Sequence, residues 1–128
     1  MANVAVWTNT GLAKVTDLLA SISVITPHWV AWGVLAASAA AAANTALESA
    51  GAEARTVGTV TQQTTTVTND TYRVVGLIMC TGADKIIKEV GLFSHLTTGD
   101  LSMRGTFSDI NVSVGDSVTF TINNVVAR

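Results

Sequence analysis

Apolar residues recur along this chain in two rhythms, and the change from one to the other divides it. Leu12, Val15, Leu18, Leu19 and Ile22 fall at helical spacing and lay a single apolar stripe. That spacing predicts an amphipathic helix over "GLAKVTDLLASI", with Asn9 or Thr10 as the N-cap whose side chain accepts an orphan amide. The preceding "ANVAVW" (2–7) reads as a short strand. Pro27 rules out a continuous helix and starts a new element. In "HWVAWG" (28–33), His28, Val30 and Trp32 share one face of a predicted strand and Trp29 and Ala31 the other.

The stretch 34–54, "VLAASAAAAANTALESAGAEA", is low in complexity. Alanine favours helix, but no amphipathic stripe is present and Gly51 closes the segment. It is expected to be a long connection with one or two helical turns near "NTALES".

From Arg55 onward β-branched residues dominate and glycine or Asx turns punctuate at short intervals. Residues 55–68 predict one long strand or two collinear ones, Asn69-Asp70 a turn, and "TYRVVGLIMCT" (71–81) the return strand. There Tyr72, Val74, Ile78 and Cys80 lie on one face and Val75, Leu77 and Met79 on the other, which predicts a strand sandwiched between two layers. "GAD" (82–84) turns the chain into "KIIKEVGLF" (85–93), which the polar "SHLTTGD" joins to "LSMRGTF" (101–107). In the latter, Leu101, Met103 and Phe107 alternate with Ser102, Arg104 and Thr106. A last alternating run, 110–126, carries the Gly115-Asp116 turn. The chain therefore predicts one mainly β domain over 1–128, an antiparallel sandwich or jelly roll with one N-terminal helix covering an open face or an end. Its parts are 1–33 (strand, helix, strand), the Ala-rich connection 34–54, and the β region 55–128.

Composition narrows the function. Charged residues are only 12% of the chain, half the usual share, and threonine and serine supply the missing polarity. A surface with so little repulsion suits a protein packed against neighbours. The 7 Lys and Arg are scattered, the net charge is −2 and aromatics are 5%, so no nucleic-acid partner is expected. No charge occurs between Asp17 and Glu48, but Ser21, Ser23, Thr26, Pro27, His28 and Gly33 break the run, and the remaining 29–43 is too short and alanine-rich to span a bilayer; no membrane partner is expected. The first ten residues carry no positive segment, so no signal peptide is expected. The lone Cys80 excludes an internal disulfide or a multi-thiolate metal site.

Catalytic chemistry finds no footing. His28 and His95 lack a Cys, His or acidic partner at ligand spacing, and no serine sits in G-x-S-x-G. Asp84, Asp100, Asp109 and Asp116 fall at strand ends, where turn formation is the usual role, and with Glu48, Glu53 and Glu89 they form no D-x-D-x-D ladder. No catalytic residue, metal or cofactor is expected. Trp7, Trp29 and Trp32 cluster in the N-terminal third and are candidate interface anchors, since tryptophan is enriched at binding hot spots; core packing is the plainer reading.

"WVAWG" (29–33), "NTALESAGAEART" (44–56), "TTTVTNDTYRVVG" (64–76), "EVGLFSHLTTGDLSMRGTF" (89–107) and "INVSVGDSVTFTI" (110–122), in that order, resemble a group of small virion structural proteins of tailed bacteriophages. Related E-x-G-L-F hairpins recur in phage tail-fibre and collar proteins. The resemblance covers roughly residues 29–126 and departs at "GVLAAS" (33–38), where Gly-Thr-Gly is usual, and at Ser94-His95, where the loop usually begins with Asp. It implies a capsid decoration, or cement, protein: a homo-oligomer, often a trimer, on the virion surface whose partner is the major capsid protein. The alternative it leaves is a tail or neck component, such as a fibre base or adaptor.

The hairpin itself sets a structural puzzle. Glu89 shares a predicted strand face with Ile87 and Phe93, so its carboxylate should be half buried and partnered. Arg104 across the hairpin, or loop amides, would supply the partner, with Gly91 permitting close approach; Arg73 is the rival, and an exposed edge charge against strand addition is the plain alternative.

Overall fold

The computed structural model describes residues 4–21 and 26–126. The chain runs β1 (Val4–Trp7), α1 (Asn9–Leu19), β2 (Trp29–Gly33), β3 (Thr56–Val57), β4 (Thr59–Gln63), β5 (Thr71–Met79), β6 (Lys85–Phe93), β7 (Leu101–Val112) and β8 (Ser117–Val125). These strands form two antiparallel sheets, one of five in the order β1-β7-β6-β2-β3 and one of three in the order β4-β5-β8. The sheets face each other across a core of Val30, Trp32, Val74, Ile78, Leu92, Met103, Phe120 and Ile122. The expected mainly β sandwich with a single N-terminal helix is the architecture observed. Residues 2 and 3 of the first predicted strand, and Ile22 of the helical stripe, lie outside the described residues.

The stretch 55–68, expected as one long strand or two collinear ones, forms two short strands divided between the sheets. Gly58 sits between β3 and β4, its amide donates to the His28 carbonyl at 2.7 Å, and the chain leaves the large sheet for the small one at that residue. The Asn69-Asp70 turn is as expected, with Asn69 left-handed (φ 61°) and the Asp70 carboxylate accepting the Thr65, Thr66 and Val67 amides. Those three amides, Val67 first, hold the Asp70 carboxyl well below the usual carboxylate range.

Strand β5 does not lie between two layers. Leu77 and Met79 are each 52% exposed on the outer face of the small sheet, so the apolar residues there are bare. Helix α1, expected over an open face or an end, packs at the start of β7. Its N-cap is Thr8, not Asn9 or Thr10, because the buried Thr8 side chain both accepts the Gly11 amide and donates to the Leu101 carbonyl. The helix thus leans on β7 by its first turn, and Leu19 at its far end is 82% exposed.

That contact makes a sharp prediction. Alanine ordinarily favours a helix over glycine by about 1 kcal/mol. A Cβ on Gly11, however, would lie 2.1 Å from the Ser102 carbonyl oxygen, a backbone atom. Gly11→Ala is therefore expected to lower stability by about 1–3 kcal/mol, read as a lower urea midpoint; a raised midpoint would contradict the packing.

Candidate functional site

The second face of the large sheet is also covered, by the Ala-rich segment 34–54. The segment is not helical: it crosses β2, β6 and β7 as an irregular strap, joined to Gly33 through a single bridge at Ala50. The helical turns expected near "NTALES" are absent because the polar atoms of that stretch are committed to tertiary bonds. Leu47 enters a small second core with Ala31, Phe93 and Leu101, and Gly91 leaves the space it fills: a Cβ there would lie 2.9 Å from the Leu47 methyl.

Glu89 and Arg104 sit beneath this strap, both side chains with zero exposure. Glu89 pairs in register with Thr106 and Arg104 with Gly91, so the two meet diagonally. Arg104 Nε donates to Glu89 Oε2 at 2.7 Å. Its Nη1 donates to the Ala39 carbonyl (3.2 Å) and Asn44 Oδ1 (3.1 Å), and its Nη2 to the Ser38 carbonyl (3.3 Å) and Glu48 Oε1 (3.1 Å). Every one of the five guanidinium N–H groups has an acceptor. Glu89 Oε1 takes the Ser49 amide at 3.2 Å, and a Cβ on Gly33 would fall 2.3 Å from that same oxygen. The expected Glu89–Arg104 pair is therefore present. The rival, Arg73, instead donates to Asn123 on the small sheet, and the exposed-edge alternative fails because β6 is the middle strand of five.

Two irregularities put these groups where alternation alone does not. Ile87 lies in the inter-sheet core while Glu89 and Phe93 face the strap, the register slipping between Ile87 and Glu89. A second slip, between Leu92 and Phe93, sends Leu101 to the strap side and Met103 to the main core. Arg104, expected on a polar face, does lie opposite Met103, and the strap seals it in.

A second polar knot closes the strap. The Glu53 carboxylate accepts the Trp32 indole N–H (2.6 Å) and the Thr81 amide (3.0 Å) and pairs with Lys85. Beside it, Arg55 lies 3.6 Å over the Phe93 ring and donates to the His95 and Thr98 carbonyls, which fixes the 94–100 loop; burial lowers its pKa.

Both strap carboxylates are poised to answer acid. Hydrogen bonds from the Ser38 hydroxyl and the Ser38 and Ala37 amides hold the Glu48 carboxyl down to about 2. Burial opposes ionisation of Glu53, but Lys85, the Thr81 amide and Trp32 outweigh it and bring its value to about 2 as well. A carboxylate with a lowered folded pKa stabilises fully above its ordinary value near 4.5 and loses that contribution as pH falls toward 2. Trp32 fluorescence is accordingly expected to change between pH 4.5 and 2 as the strap lifts. A flat signal across that window would show that these carboxylates do not hold it.

The three tryptophans separate. Trp32 is buried in the main core and bonded to Glu53, so it cannot anchor a surface contact. Trp7 and Trp29 are half-buried, against the main and the small core respectively, and keep an accessible edge. Among the described residues no group of three or more His, Cys, Asp and Glu could hold a metal ion. Asp100 and Asp109 pair with Lys14 and Lys88, while Asp84 and Asp116 cap loop amides at Val114 and Ser113. The Cys80 thiol is buried, which raises its pKa, and it donates to the Ala83 carbonyl. No helix of the described residues is long and apolar enough to cross a membrane. No protein-family model, curated protein or solved structure matches this chain.

Proposed function

We propose that this chain is a bacteriophage capsid decoration protein, which binds the outside of the major-capsid shell as a homo-oligomer and stabilises it without catalysis. The observation that carries the reading is the pairing of a buried ion pair whose guanidinium donors are all bonded with bare apolar side chains outside. Leu12 and Leu19 on α1 and Leu77 and Met79 on β5 are all more than half exposed, on a chain with 12% charge. A protein that works packed against neighbours needs both properties. The likeness of the 89–107 hairpin to phage particle proteins supplies the class of neighbour.

Heads lacking the protein are expected to assemble normally but to release DNA at a lower temperature, or with less chelator, than decorated heads. Equal release from both would remove the stabilising role. Immunogold labelling of purified virions tests the location: label over the head supports decoration, and label confined to the tail or neck would assign the chain there instead.

A further inference from the structure

The two sheets are unequal, and the mismatch lies on one flank. Contacts of β5 with β2 and β3 set the small sheet over that end of the large one. The ring of Phe120 on β8 touches both Trp32 on β2 and Phe107 on β7, which places β8 above β6. Strands β7 and β1 therefore project beyond β8 as a ledge without a strand above it among the described residues. The space over the ledge is a cleft of about 600 Å³. Leu92, Met103 and Phe107 form its floor, and Val118, Phe120 and Ile122 its wall.

Strand β8 is the edge of the small sheet, so one side of its backbone along Ser117–Val125 faces no strand among the described residues. Natural edges are usually guarded by charge, proline or a bulge. Here the sequence SVTFTINNV contains no charged residue and no proline, and its pairing with β5 is regular over all nine residues. Among the described residues the one charged group lining the cleft, Asp109, is already engaged by Lys88 at 3.6 Å.

We propose that this flank is a strand-acceptor site: an extended, uncharged segment of another polypeptide adds to β8 as a fourth strand of the small sheet and roofs the ledge. Its backbone would complete the β8 ladder, and alternate apolar side chains would enter the cleft between Phe107 and Phe120. Charge and area both select this occupant. The uncharged edge and cleft match an uncharged strand. A slot about 30 Å long and two strands, or about 10 Å, wide offers a footprint of roughly 300 Å², well short of the roughly 800 Å² per partner of a stable folded dimer. A second folded copy is also excluded by shape, because pairing β8 to β8 would drive the projecting β7 and β1 of the two copies into each other. The inference rests on the fold alone and holds wherever the protein resides.

The test uses the full chain and a soluble peptide of alternating valine and threonine with paired lysines at each end. At saturation, amide exchange along Ser117–Val125 is expected to slow by about tenfold or more. Phe107→Glu, which places a charge in the cleft from a half-buried position, is expected to weaken binding at least about tenfold, whereas Leu77→Lys on the outer face of β5 leaves it unchanged. Circular dichroism confirms that both variants fold. The proposal is overturned if β8 exchange does not slow, if protection falls on β4 alone, if a peptide of the same composition with its valines grouped binds equally well, or if the protein without peptide self-associates through β8.

Discussion

Replacing Arg104 by methionine is expected to cost about 3–5 kcal/mol. The guanidinium is fully buried and its five donors hold Glu89 below and Ser38, Ala39, Asn44 and Glu48 above. Methionine fills much of the volume but leaves the Glu89 carboxylate in the interior with only the Ser49 amide, at 3.2 Å. Most of the loss comes from that stranded charge and not from the missing bonds. The double variant Arg104→Met with Glu89→Leu removes both ions and is expected to recover a large part of the stability, because a buried pair roughly breaks even against apolar groups of similar size. Urea denaturation of the two singles and the double gives the coupling directly. Additive losses would mean that the two groups do not depend on each other.

Glu53→Ala is expected to cost about 2–4 kcal/mol. The carboxylate gathers an indole N–H from β2, an amide from the turn after β5 and the Lys85 ammonium at the start of β6, so one side chain joins three parts of the fold. Its removal leaves the Trp32 N–H buried without an acceptor and Lys85, whose side chain is only 14% exposed, without its counter-charge. The urea midpoint should fall, and Trp32 emission should shift even in the folded state. Glu53→Gln separates charge from shape: it can still accept from Trp32 and is expected to lose less than the alanine variant. If glutamine and alanine destabilise equally, the ionic bond to Lys85 carries the whole effect.

The strands were legible because threonine, valine and isoleucine alternate between turn residues, and a half-buried sheet imposes that period of two. Asn69-Asp70 and Gly115-Asp116 turn the chain where their chemistry says they should. Sequence pattern could not divide 55–68, because Gly58 leaves apolar alternation intact while redirecting the backbone. Nor could it find the slips beside Ile87 and Leu92, since one or two unpaired residues leave no compositional trace. The pairing of Glu89 with Arg104 was readable from their nearness across the hairpin, although they meet diagonally. The other half of the site was not: Ser38, Asn44, Glu48 and Glu53 act from 34–54, where alanine argues for helix and no periodicity assigns a face. Their one signal was scarcity, as nearly the only polar groups in a stretch of alanine. The bare apolar residues of β5 were misread as evidence for a covering layer, because burial by another layer and exposure to a partner leave the same alternation.

The pairing of β1 with β7 sets the order in which the molecule can be made. Val4 lies opposite Thr106 and Trp7 opposite Met103, so strands at the two ends of the large sheet's connectivity are separated by almost the whole chain. During synthesis the first strand leaves the ribosome with nothing to pair with, and at roughly 5–20 residues per second it waits several seconds for β7 to follow. The buried Arg104 arrives on that same late strand, after the strap that it will fasten. Folding is therefore a long-range closure that waits for β7, slow by the measure of its contact order, and the nascent chain must stay soluble through that interval with very little charge.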